Sequence, residues 1–293
     1  MMSSSFYWIT KSKSVEIDTK SMAKTEDNAM RLRWLTLFFG IPQRVQLPFG
    51  SQWIARNDAC GRMILRGRFE NTDRQFIEKF LKPGMVVLDI GAHHGYYSLL
   101  ASQKVGPLGR VIAFEPSLRE RRRLLQHLRM NACANTKVEE TALGETEGRA
   151  ELFVVEGRET GCNSLRPPNV SQATHALEVQ VGRLDDYVRQ HDLARVDFIK
   201  MDVEGAELAV LKGATEFLAR KPRPVIFCEV QDLRTRSWGY AAKEIVNFLS
   251  QRGFRWYIPS KDGAMMPLAL DQDEYDGNFV AVPEEIDASN RSA

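Results

Sequence analysis

Beyond residue 84 short, wholly apolar runs alternate with amphipathic stretches. Met85-Val-Val-Leu-Asp-Ile90 is apolar at odd and even positions alike, as a strand covered on both faces must be, and Pro83-Gly84 punctuates its start. Helical spacing over residues 96–104 leads to a second apolar run, Val111-Ile-Ala-Phe-Glu115. A helix is expected over 118–131, with Leu118, Leu124, Leu125 and Leu128 inward and the basic run 119–123 as its solvated face. A strand near Val138 follows. The texture then changes, because 150–155 and 177–181 alternate like half-exposed strands around a loop holding Gly157, Gly161, Pro167 and Pro168. Regular order resumes with a strand over 196–202, a helix over 206–220, a strand over 224–229, a helix over 241–252, and strands over 254–258 and 277–282. Strands alternating with helices predict an α/β fold around a doubly wound, mostly parallel sheet.

The N-terminal part reads differently. Residues 1–24 are rich in Ser, Lys and Thr without periodicity, the composition of a disordered leader. Residues 26–39 place Met30, Trp34, Leu37 and Phe38 at helical spacing opposite Arg31 and Arg33, which predicts a docked amphipathic helix. Short apolar runs over 44–68, broken by Pro48, Gly50, Gly61 and Gly67, predict a small β-hairpin cap. Asp73 is placed to cap a helix over 74–81. The expected organisation is a leader (1–24), an N-terminal helix and β cap (25–70), a main domain (71–285) and a tail (286–293).

Composition narrows the function. With 43% hydrophobic and 27% charged residues the chain is an ordinary globular one. Its 40 basic against 38 acidic residues leave no global field to draw it onto nucleic acid or an anionic membrane, so neither is expected as a partner. The most lipophilic stretch, around Trp34 to Ile41, is far shorter than the ~20 residues of a spanning helix, and the first residues lack the apolar core of a secretory signal. Cys60, Cys133, Cys162 and Cys228 stand far apart with no metal-ligand spacing, which fits a reducing cytoplasm and predicts no structural metal.

The chemistry concentrates at strand ends. In Asp89-Ile-Gly91-Ala92-His93-His94-Gly95 an apolar strand enters a glycine-bounded turn and then a helix, a place where a ligand can approach backbone. Asp89 would repel phosphate and suits a cation or a ligand's ammonium group. The next strand ends in Glu115-Pro116, 24 positions after Gly91, where a carboxylate can accept both ribose hydroxyls of an adenosine. A nucleoside carrying a positively charged amino-acid arm describes S-adenosylmethionine; a nicotinamide dinucleotide is the rival. Asp202 and Glu204 follow a third strand at the same sheet edge, where they can cap the next helix or enter a reaction pocket, whereas Glu207 suits the cap alone. His93 and His94 begin a helix beside that edge; a neutral imidazole there could take a proton, or be satisfied by a backbone carbonyl. Glu229 ends a buried strand at the same edge and could orient a substrate, or bond a loop amide.

The ordered segments DIGAHHGYYSLLAS, VIAFEPS, the Asn131 that closes the following helix, TALGE, GCNSL, VGRLDDYV, DFIKMDVEGAELAVLKGA and DGNFVAV resemble the motif set of the FkbM family of S-adenosylmethionine-dependent methyltransferases over about residues 71–285. The resemblance implies the class I methyltransferase fold, a Rossmann-like seven-stranded sheet whose last strand is antiparallel, carrying the cap in addition. It also implies O-methylation of a hydroxyl on a sugar, glycan or other small metabolite. By position Asp89, Gly91, Ala92 and Gly95 correspond to the cofactor loop, Glu115 and Pro116 to the ribose site, and Ala142 and Leu143 to the segment beside adenine. Asp202, Glu204 and His94 are then the candidate catalytic groups, with Glu229 and Asn163 toward the acceptor. His93-His94 stand where the family often has a small or amide pair, and the first ~70 residues have no counterpart in the family core. The other functions to weigh are an NAD-dependent dehydrogenase and a non-catalytic methyltransferase-fold module in a glycan-assembly complex.

Overall fold

The structure is a computed structural model that describes residues 36–37 and 39–286. The expected leader, nearly all of the helix at 26–39 and most of the tail lie outside the described residues.

The chain first makes an antiparallel hairpin, β1 (Gln43–Gln46) and β2 (Gln52–Ala55). A short helix, Ala59–Leu65, follows; Asp58 caps it by accepting the Gly61 amide at 2.8 Å. Gly61, read in the sequence as a break between apolar runs of a β cap, lies inside this helix and is required there, since a Cβ on it would lie 2.2 Å from the Arg56 carbonyl oxygen. The next helix is Asn71–Phe80, so Asp73 lies in its first turn rather than at its cap, where it accepts from Asn278 Nδ2 at 2.7 Å. Glu70 takes the N-cap position with φ 39°.

The core is an eight-stranded sheet of β3 (Val86–Ile90), β4 (Arg110–Phe114), β5 (Thr136–Glu139), β9 (Phe198–Met201), β10 (Val225–Gln231), β11 (Phe254–Pro259), β12 (Met265–Pro267) and β13 (Asp276–Pro283). Their spatial order is β12-β11-β13-β10-β9-β3-β4-β5. β10, β9, β3, β4 and β5 pair in parallel, and β13 runs antiparallel between β10 and β11. This is the expected seven-stranded class I methyltransferase sheet with one strand added, since β12 extends the edge beyond β11. A second sheet, ordered β6-β8-β7, is built from β6 (Ala142–Leu143), β7 (Gly148–Val155) and β8 (Thr174–Gly182).

Both faces of the large sheet are covered. On one, Leu208, Leu211, Ile245 and Leu249 from the helices Glu207–Lys212 and Lys243–Ser250 pack on Ile199 and Ile226. On the other, Phe76, Ile77, Leu99 and Leu100 from Asn71–Phe80 and Tyr96–Val105 pack on Val87 and Phe227. The hairpin joins this second core through Trp53, 1% exposed and stacked on His127 at 3.8 Å. His127 also accepts the Ile54 amide at Nε2, 3.2 Å, while Nδ1 donates to the His94 carbonyl at 2.8 Å, so one neutral ring ties hairpin, helix and loop together.

Two helices depart from expectation. In Leu118–Met130 only Leu124 and Leu128 face inward; Leu118 and Leu125 are 47% and 37% exposed, and Glu120 and His127 are buried in their place. The helix expected over 206–220 is two, Glu207–Lys212 and Thr215–Ala219. They part at Gly213, which packs so tightly that a Cβ there would fall 2.0 Å from the Gly144 carbonyl oxygen.

The strand order reverses between β3 and β9, the place where open α/β sheets form a crevice at the carboxyl ends of their strands. There Gly91 has φ 83°, and a Cβ on it would meet the Asp202 carbonyl oxygen at 1.8 Å. Gly91→Ala is therefore expected to destabilise the chain by about 3 kcal/mol or more, combining a positive-φ penalty with forced separation of two strand ends. Urea unfolding of the two proteins measures it, and an unchanged midpoint would show that the strand ends are free to part.

Candidate active site

Two cavities open at that crevice. The first lies over the ends of β3 and β4 and reaches the second sheet; Glu115, Pro116, Ala142, Leu143 and Asn163 line it. The second lies toward the cap, walled by Phe69, Glu70, Tyr96, Tyr97, Lys200, Glu229 and Arg234. Gly91, His93, Gly161, Asp202 and Glu204 border both.

The loop after β3 is held from behind. The amides of Gly91 and Ala92 both donate to the Phe114 carbonyl, at 3.1 and 3.0 Å, so these two donors are engaged within the chain instead of facing a ligand. Gly95 borders neither cavity; a Cβ there would lie 2.2 Å from Leu124 Cδ1, so helix packing is what demands glycine. Asp89, expected at the cofactor, is 1% exposed and likewise lines neither cavity: it accepts from Ser98 Oγ at 2.6 Å beneath the loop and sits across from Lys200 on β9. Burial raises its pKa.

Only one of the two histidines reaches the crevice. His94, a candidate base, is buried away from both cavities, with Nε2 2.9 Å from Arg123 and Trp53 packed nearby. Burial, reinforced by Arg123, holds its pKa well below the ordinary range. His93 takes the position on the crevice, with φ 50°, its ring stacked on His94 and Nε2 3.1 Å from Thr160 Oγ1. The reason is geometric: in this tight turn the two rings stack face to face with His93 on the crevice side and His94 behind it, and the spacing of the two residues does not say which is which.

Glu115 ends β4 at the first cavity. Oε2 accepts the His93 amide at 2.7 Å and Oε1 the Ser117 amide at 2.8 Å, which fixes the carboxyl while leaving further lone pairs. Burial, then the neighbouring Glu120, raise its pKa to about 8. Asn163 is turned partly to structure, its Oδ1 accepting the Val155 amide at 2.9 Å.

At the junction Asp202 pairs with Lys200 Nζ at 3.0 Å and Glu204 with Arg234 Nε at 2.8 Å. Glu204 has φ 55°, a conformation rare for a residue with a side chain and one that collects at functional sites. Glu207 has the structural role expected, accepting the Val203 amide at 2.8 Å at the head of its helix. Glu229 faces the second cavity. The groups missed in the sequence are Lys200, Arg234 and Glu70. Lys200 lies inside an apolar strand and was legible as an anomaly there, since a buried lysine requires partners; Arg234 and Glu70 gave no signal, being ordinary charged residues brought in by packing. Glu70 receives the Tyr97 hydroxyl at 2.6 Å, and burial raises its pKa to about 7.

Residues 89–256 match the methyltransferase FkbM domain, and the chain belongs to this family of S-adenosylmethionine-dependent methyltransferases. That sets the nicotinamide alternative aside. The chain is similar to the AMB antimetabolite synthetase AmbE of Pseudomonas aeruginosa, 30% identical over 207 residues, 59% of this chain and 10% of AmbE. It is similar to the 2-O-methyltransferase NoeI of Sinorhizobium fredii, 28% identical over 50% of this chain and 64% of NoeI. With the 31-O-demethyl-FK506 methyltransferase FkbM of Streptomyces tacrolimicus it shares 26% identity over 73% of this chain and 89% of that one. The chain thus spans less than two thirds of AmbE and of NoeI. Among solved structures, an O-methyltransferase from Bacillus cereus in complex with SAH covers 72% of this chain and 80% of that one, with 14% identity and a TM-score of 0.43.

The buried titratable groups set a pH dependence. His93 and His94 are held well below 6.5 and His127 at about 4, so staying neutral in the fold adds stability that grows as pH rises to 6.5. Glu70 at about 7 and Glu115 and Glu204 at about 8 do the reverse: their contribution is complete below 4.5 and is lost as pH rises through those values. The two sets oppose each other up to pH 6.5, and above it the carboxyls act alone. The urea midpoint of the ligand-free chain is therefore expected to fall between pH 6.5 and about 8.5; a flat or rising profile would contradict these assignments.

Proposed function

We propose that the chain is a cytoplasmic O-methyltransferase that transfers the methyl group of S-adenosylmethionine to a hydroxyl of a sugar, glycan or other small polyhydroxylated metabolite. The observation that carries this reading is the pair of cavities meeting at Gly91, His93, Asp202 and Glu204. In this reading the first takes the nucleoside and the second the acceptor.

The residues present fit that cofactor. Glu115 offers ribose hydroxyls a carboxyl group fixed by two backbone amides, and Pro116, Ala142 and Leu143 give an adenine ring apolar walls. When bound, S-adenosylmethionine supplies an electrophilic methyl on a sulfonium. What the chain adds is alignment and a proton acceptor. Orienting a hydroxyl oxygen in line with the transferring carbon can lower the barrier by several kcal/mol, up to roughly 7 to 11. The second cavity suits a polyhydroxylated molecule, because Phe69, Tyr96 and Tyr97 offer flat apolar faces while Asp202, Glu204 and Glu229 accept hydroxyl hydrogens. Asp202 takes the acceptor's proton in this scheme: it borders both cavities, and Lys200 Nζ, 3.0 Å from its Oδ2, fixes its position. No helix among the described residues is long and apolar enough to cross a membrane.

The direct test is incubation with isotopically methyl-labelled cofactor and a metabolite extract, followed by mass spectrometry. A methylated hydroxyl is expected; weak or absent cofactor binding with no transfer would favour the non-catalytic module, and label in RNA would move the acceptor to nucleic acid. Asp202→Asn should lower turnover ~10²-fold or more at nearly constant cofactor affinity. Unchanged turnover would leave Asp202 as a partner of Lys200 only. Glu115→Gln should weaken S-adenosylmethionine and its demethylated product equally, by roughly 1.5 to 3 kcal/mol, measured by calorimetry; a loss confined to one ligand would place Glu115 at the sulfonium instead.

A further inference from the structure

Three carboxylates converge on the wall between the two cavities: Asp202 and Glu204 just past β9, and Glu229 within β10. One ligand oxygen from each can be chosen so that all three lie within 4.8 Å of one another. Oxygens so spaced can all reach one ion at the roughly 2.0 to 2.6 Å of magnesium, manganese or calcium bonds.

Proximity of acids alone does not make a site, and here two are already answered by side chains. Lys200 Nζ holds Asp202 Oδ2, and Arg234 Nε holds Glu204 Oε2. Glu229 is different. It is 9% exposed, Oε2 is fully enclosed with no hydrogen-bond partner, and no ion pair reaches it among the described residues. A carboxylate taken out of water with neither donor nor cation is strongly disfavoured, and native structures rarely leave one so. One oxygen of this same carboxylate nonetheless lies within 4.8 Å of an oxygen of each of the other two acids, and Glu229 lines the second cavity.

We propose that Asp202, Glu204 and Glu229 bind one hard divalent cation of the magnesium or manganese type, whose remaining coordination positions face the second cavity. All-oxygen donors select such ions over zinc or copper, which favour nitrogen and sulfur. The site stands on the carboxylate geometry and the unpartnered Glu229. Its use rests on the function proposed above: hydroxyl oxygens of the acceptor would complete the coordination shell and be acidified there, which favours an acceptor with two neighbouring oxygens.

The test uses the full chain, stripped with a chelator, and titrates manganese while the paramagnetic resonance of the free ion is followed. The wild type is expected to take up one manganese per chain, displaced by excess magnesium, and Glu229→Gln to weaken the binding at least tenfold. Removing an uncompensated buried charge should leave Glu229→Gln melting at or above the wild-type temperature. If that variant does not fold, Asp202→Asn read by the same signal serves instead, with the same loss expected. No uptake by the wild type overturns the proposal and means that Glu229 holds a proton; equal uptake by wild type and folded variant overturns it by placing the ion elsewhere. Binding of S-adenosylhomocysteine by the wild type is measured on the same preparation, so that loss of the cation site and loss of the methyl-transfer reading are told apart.

Discussion

The backbone contact between Gly91 and the Asp202 carbonyl governs this end of the molecule. It brings the ends of β3 and β9 together where the strand order reverses, and leaves no room for a side chain between them. The loop after β3 must then turn sharply, and the Phe114 carbonyl receives its first two amides. That turn throws His93 onto the crevice and His94 into the core, and it sets Asp202 and Glu204 on the wall that the two cavities share. A glycine that reads in sequence as space for a ligand is, in the fold, space for another strand.

Around this junction the chain keeps an unusual amount of charge from water. Lys200 and Asp89 face each other across β9 and β3, Lys200 also reaches Asp202, and Arg234 holds Glu204. Such groups do not add much net stability, because desolvation offsets most of the attraction. What they provide is orientation: acids fixed at one sheet edge by cations that come from other elements. Burial raises the pKa values of Glu70, Glu115 and Glu204, so the edge is responsive to whatever hydroxyl, cation or proton meets it.

The N-terminal hairpin and short helix are part of the same arrangement. Trp53 and His127 lock the hairpin against the helix Leu118–Met130, and Phe69 and Glu70 then wall the second cavity. The segment before β3 thus supplies part of the wall of that cavity, with Ala59, Cys60 and Met63 beside Phe69 and Glu70.

The sequence by itself determined the elements of the sheet and its class. Apolar runs on both faces mark parallel strands, amphipathic spacing marks their crossover helices, and acids at strand ends mark the edge where ligands bind, because all three depend on local periodicity. It also singled out Glu115, Asp202, Glu204, Ala142 and Leu143, which the fold brings to the wall of one cavity at the crevice. Tertiary structure alone decided that Asp89, Gly95 and His94 serve the packing behind the loop, and that Leu118 and Leu125 face solvent. It alone brought Lys200, Arg234 and Glu70 to the second cavity and left Glu229 without a partner. The reason is physical: which way a residue in a tight turn points, and which distant charge it meets, depend on contacts between elements far apart in the chain, and these leave no period to read.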